Sequence, residues 1–144
     1  MRSFATFILA AVLFSSCTRE PEAIHFGKDL CHHCKMTIID NKFGAEIVTA
    51  KGKIFKFDAV ECLRDYYGKE YKNTASEDDL YLTVDYNSPG NFIDATNATF
   101  LNDAEIKSPM GGNLAAFSTT QFAEQQLKSA EGKILTWKDL LKTN

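Results

Sequence analysis

The chain has 144 residues, with 16 Lys and Arg against 19 Asp and Glu for a formal charge of −3, a size and balance that suit one compact domain. With 44% hydrophobic and 24% charged residues, the composition excludes a disordered chain, a collagen-like repeat and a polytopic membrane protein. A pI near 5.6 leaves no basic face for phosphate contacts, so no nucleic acid is expected as partner.

Residues 1–16, MRSFATFILAAVLFSS, form the first element. Arg2 precedes an apolar stretch from Phe4 to Phe14. That stretch is shorter than the about 20 residues needed to cross a bilayer and has the build of a secretory signal peptide. Ser15 and Ser16 lead into Cys17. This arrangement resembles a bacterial lipobox, with Phe14 where Leu, Val or Ile is usual. The resemblance implies cleavage before Cys17, acylation of that cysteine, and a membrane-anchored lipoprotein of the cell envelope facing the periplasm. Residues 17–27 are expected to be a tether, because TREPEAI at 18–24 is polar and carries a proline. Residues 28–144 are left for the folded domain.

Within that domain, Phe43 to Ala50 and Lys53 to Phe57 are rich in β-formers and separated by Lys51-Gly52, a hairpin signal. Asp58 with Glu61 three positions on is a relative of the capping box. The helix it opens places Val60, Leu63 and Tyr67 on one face and stops at Gly68. Leu80 to Tyr86 alternates as a strand, and Asn87-Ser-Pro-Gly90 is a turn. Phe92–Asp94, Ala98–Leu101 and Leu114–Phe117 are short strands. Ser118 or Thr119 caps a helix running from Thr120 to about Ala130, which buries Phe122 and the neighbourhood of Leu127 and ends at Gly132. Lys133–Thr136 is a strand and Trp137–Leu141 a helical turn. The order strand, strand, helix, strand occurs twice. The expected fold is therefore α+β, two similar units in one compact domain.

The chemistry concentrates in HFGKDLCHHCKM at 25–36, which holds all three histidines, His25, His32 and His33, and two of the four cysteines. Cys31 and Cys34 can converge on one ion, and Met36 is close enough to add a thioether. Apart from the initiator, the remaining methionine is Met110, in Ser108-Pro-Met-Gly-Gly112. Thiolate and thioether are soft donors that suit Cu(I) rather than Mg or Ca. A CxxC also serves structural disulfides, redox pairs and zinc half-sites. Lys35 stands where c-type haem attachment needs histidine, and zinc sites usually pair their ligands at longer spacing. Cys62, beside Val60 and Leu63 on the first helix, reads as a buried inert thiol.

Cys31-x-x-Cys34-x-Met36 behind a lipobox, Phe57-Asp58 at a strand end, and Pro109-Met110-Gly111 followed by Ala116-Phe117 together resemble the NosL family, copper-binding lipoproteins accessory to nitrous oxide reductase. The resemblance covers residues 28–120. It implies a duplicated strand-strand-helix-strand fold, Cu(I) binding, and delivery toward the copper sulfide centre of the reductase or to its maturation machinery. Met110 would then shield or complete a site made by Cys31, Cys34 and Met36. The chain departs from the family at Lys35, often glycine there, and at Gly112, where some members carry a histidine. If that histidine is a ligand elsewhere, its place here falls to His25, His32, His33 or solvent.

On this reading the protein is a metallochaperone and not an enzyme. A membrane-tethered thiol–disulfide oxidoreductase would use Cys31 and Cys34 but neither methionine. A copper sensor or scavenger would need the same ligands as a chaperone.

Overall fold

The computed structural model describes residues 19–142, so Cys17 and the expected signal sequence lie outside the described residues. The strands are short, three to five residues each. β1 (Ala45–Val48) and β2 (Ile54–Phe57) form the expected hairpin, with Ala45 opposite Phe57 and Val48 opposite Ile54. Its turn closes through Thr49 N–H to the Lys53 carbonyl at 2.8 Å. Gly52 takes φ +79°, a left-handed conformation that costs glycine little.

After α1 (Val60–Tyr66) comes β3 (Leu80–Val84), and it pairs antiparallel with β1. β4 (Phe92–Asp94) adds to β3, which gives the order β2-β1-β3-β4. The second half repeats the plan. β5 (Thr99–Asn102) and β6 (Leu114–Phe117) pair antiparallel, α2 (Thr120–Gln126) follows, and β7 (Lys133–Leu135) returns to the other side of β5. The order β6-β5-β7 matches β2-β1-β3 strand for strand. The expected α+β duplication is therefore the observed fold. A bridge between Asp85 and Ala116, with Tyr86 N–H on the Ala116 carbonyl at 2.8 Å, joins the two sheets. Tyr81 and Trp137, the first residue of α3 (Trp137–Lys142), pack 5.6 Å apart and touch the apolar clusters of both halves.

Four local expectations fail, each for a visible reason. Asp58 does not cap α1; Ala59 holds the cap position with no side-chain bond. Asp58 is buried and its carboxylate accepts the Ile39 N–H instead. The first helix does not stop at Gly68 but widens into a π-helical turn over Tyr67–Tyr71. The extra residue turns Tyr71 inward, where its hydroxyl donates to Asp79 at 2.7 Å and its ring stacks on Tyr66. α2 ends at Gln126 rather than near Ala130, because buried Asp103 accepts the Lys128 and Ser129 N–H groups and draws the chain out of the helix. Ala123 is the buried residue of α2, while Phe122 and Leu127 remain about 40% exposed.

The stretch expected to be a tether is docked from Glu22 onward. Glu22 N–H donates to Glu46 at 3.0 Å, the Lys56 ammonium reaches the Ala23 carbonyl at 3.0 Å, and Ile24 is buried. Gly44 makes room for Ile24, since a Cβ there would stand 2.9 Å from the Ile24 Cδ1. No helix among the described residues is long and apolar enough to cross a membrane.

Candidate metal centre

The CxxC turn is built before any side chain is considered. Leu30 and Thr37 pair as an antiparallel bridge, Cys31 N–H donates to the Met36 carbonyl at 2.8 Å, and Lys35 N–H donates back to the Cys31 carbonyl at 3.0 Å. Closing so tight a loop forces Lys35 to φ +66°, the left-handed region that disfavours a Cβ. Glycine at this position would relieve that strain. The Lys35 ammonium caps the His32 carbonyl. His32 N–H donates to the Lys56 carbonyl of β2 at 2.7 Å, and its ring packs on Phe55 and Tyr66 at 4.6 and 5.0 Å. The loop is thus pinned to the end of the first hairpin, where the chain enters α1.

That docking brings in a third thiol. The sulfurs of Cys31, Cys34 and Cys62 all lie within 4.8 Å of one another. All three are free, with Cys31 and Cys62 buried and Cys34 partly exposed. With metal–sulfur bonds of about 2.3 Å, three sulfurs around one trigonal ion would stand about 4 Å apart. His25, His32 and His33 are not part of the cluster.

Cys31 is the electrostatic centre of the group. Its sulfur accepts from the Cys62 thiol and from the backbone N–H groups of Asp58 and Cys34, the last at 3.5 Å, and these push its pKa down to about 4. Cys62 is driven up, first by that same hydrogen bond with Cys31 and then by burial, and burial raises Cys34. The three thiols therefore share their protons so that the negative charge sits on Cys31. Burial, followed by the charge on Cys31, lifts Asp58 to about 6. A buried thiolate held by N–H donors, with two further thiols in reach, is a ligand set for a soft cation.

The two methionines lie at the rim. Met36 is 48% and Met110 39% exposed, so both thioethers are reachable from solvent. Met36, Asp58 and Pro109 line one groove of about 610 Å³, so the loop carrying Met110 borders the same opening as the CxxC turn. That loop is fixed to α1 at Glu61, whose carboxylate accepts from Ser108 Oγ, one residue before Cys62. Burial raises the Glu61 pKa. His25 pairs with Asp29 at 3.6 Å and is largely exposed, while His33 faces Glu70 at 3.9 Å with its Nδ1 lacking a hydrogen-bond partner.

Spacing alone assigns Cys62 to packing; the structure buries it as expected and also places its sulfur beside those of Cys31 and Cys34. A signal was present nonetheless. Once Cys17 is set aside for a lipid, three cysteines remain, an odd number that cannot all pair. One of them occupies the first turn of a helix, directly after the Phe57-Asp58 strand end.

Compared with known proteins, the chain matches the family model described as NosL over residues 23–144. No curated protein gives a match. The crystal structure of the copper chaperone NosL from Shewanella denitrificans superposes with a TM-score of 0.72 at 22% identity, covering 88% of this chain and 99% of that one. At that identity the likeness establishes the shared fold.

Proposed function

This chain belongs to the NosL family, and from that premise we propose that it is a membrane-anchored, extracytoplasmic Cu(I) metallochaperone rather than an enzyme. The observation that carries the reading is the convergence of Cys31, Cys34 and Cys62 within 4.8 Å. Three sulfurs with no oxygen donor among them select Cu(I) over hard cations. The structure it resembles is that of a copper chaperone.

Burial of Cys31 and Cys62 keeps the ion away from water, and the partial exposure of Cys34 leaves one side of the site reachable. Met36 lines the neighbouring groove with Pro109, the residue before Met110, and both thioethers are exposed. A thioether is a weaker, neutral ligand, suited to holding Cu(I) briefly as it passes to an acceptor by ligand exchange. The ion is never free and no acid or base acts. Acylation at Cys17 would hold the chaperone in the envelope facing the periplasm, with the folded domain beginning where the chain docks at Glu22. The acceptor we propose is nitrous oxide reductase or its maturation machinery.

Anaerobic titration of the reduced protein against a chromophoric Cu(I) chelator tests this. One Cu(I) per chain, bound far more tightly than Zn(II), is the expected result. Met36→Leu and Met110→Leu conserve volume and cost less than about 1.5 kcal/mol of stability, yet each should speed loss of copper to the chelator. Tight zinc binding without Cu(I) uptake would overturn the reading. Copper-independent reduction of insulin would replace it with a thiol–disulfide enzyme.

A further inference from the structure

Glu61 is 3% exposed, an expensive place for a carboxylate, and nothing in the ligand-exchange chemistry uses it. Its Oε1 bonds Ser108 of the other half, its own backbone N–H lies against the same carboxylate, and its Oε2 has no hydrogen-bond partner. Ser108, itself 7% exposed, donates its hydroxyl to Glu61 Oε1, and the Leu114 N–H donates to the same carboxylate. Ser108 Oγ in turn accepts the Asn113 N–H at 2.9 Å. Between these anchors Gly112 packs flush on the Glu61 side chain, where a Cβ would meet Glu61 Cγ at 2.7 Å and Oε1 at 2.9 Å. Here glycine is required by space. The loop from Ser108 to Asn113 is therefore clamped at both ends and its middle onto the first turn of α1. Met110 sits at the loop's tip, and Cys62 follows Glu61 in the helix.

We propose that Glu61 is a positioning residue, a latch that with Ser108 fixes the Met110 loop of the second half against the thiol-bearing helix of the first. The inference rests on the copper-binding reading of the thiol cluster and deepens it. The two halves meet at the site through a buried carboxylate–hydroxyl pair, and Met110 reaches copper only while that pair is intact. A hydrogen bond to a charged group is worth about ten- to a hundredfold in an equilibrium constant, so losing the part of it that holds Met110 in place should cost about tenfold in affinity.

The test is a double-mutant cycle read as Cu(I) affinity in the full chain. Ser108→Ala should weaken Cu(I) binding about tenfold when Met110 is present and have no further effect in a Met110→Leu background. Glu61→Ala should behave like Ser108→Ala, and Glu61→Gln, which keeps an Oε1 able to accept the Ser108 hydroxyl, should restore affinity to near wild type. Losses from Ser108→Ala and Met110→Leu that multiply independently would overturn the latch, as would Glu61→Ala with wild-type affinity. Hydrogen exchange of the metal-free protein gives a second readout that needs no copper. Faster exchange at Gly111, whose N–H bonds the Ser108 carbonyl at 3.0 Å, supports the latch in Glu61→Ala. Unchanged exchange there overturns it, even if wild-type protein took up no Cu(I) and the copper reading itself had failed.

Discussion

Removing Cys62 separates a third ligand from a packed thiol. Cys62→Ala deletes one buried sulfur on α1, 1% exposed, and its hydrogen bond to Cys31. The structural cost is that of a small cavity and one weak bond, about 1 kcal/mol, which leaves the fold intact. The cost to copper is larger. Structural zinc sites of four ligands reach about 10–16 kcal/mol of binding free energy, or about 2.5–4 kcal/mol for each ligand. Losing one of three thiolates should therefore weaken Cu(I) by about 100- to 1,000-fold, since no other His, Cys, Asp or Glu among the described residues joins the cluster. Competition with a Cu(I) chelator gives the affinity, copper-edge X-ray absorption counts the sulfurs, and urea unfolding reports the fold. Affinity within about threefold of wild type with an unchanged sulfur count would refute the three-thiol site and return Cys62 to packing.

Two further predictions concern the frame around the site. Lys35 sits at φ +66°, so Lys35→Gly should raise stability to urea by about 0.5–1 kcal/mol, and a loss of stability would show that the Lys35 contact with His32 outweighs the strain. Glu46 is fully buried on β1, its Oε2 lacks a hydrogen-bond partner, and burial raises it from 4.5 to about 7. A carboxyl raised on folding contributes stability that is present in full below pH 4.5 and is lost as pH rises through about 7, a swing of up to about 3 kcal/mol. Glu46→Gln should therefore unfold at higher urea than wild type at pH 8.5 and lose that advantage at pH 5. An equal difference at both pH values would refute the assignment.

The local code carries much of this protein. The β1–β2 hairpin follows from a run of β-formers broken at Lys51-Gly52, because a two-residue turn chemistry and the strand period act within a few residues. The same holds for the Thr119 cap of α2, whose hydroxyl accepts the Phe122 N–H at 3.3 Å, and for the repeated order of elements. The CxxC turn is equally local, since the Leu30 to Thr37 bridge closes over the residues between them.

What the sequence could not contain is anything decided by a partner far along the chain. Helix ends moved because Asp103 accepts N–H groups from Lys128 and Ser129, and because Tyr71 finds Asp79. Asp58 and Glu61, a capping pair by spacing, are drawn instead to Ile39 and to Ser108. Cys62 joins Cys31 and Cys34 only because His32 hooks the CxxC turn onto β2 at Lys56. A helix position fixes which way a thiol points, but only tertiary packing fixes what stands in front of it. Residue types therefore pointed to soft-donor chemistry, and the meeting of the CxxC loop with the start of α1 decided which three sulfurs stand together.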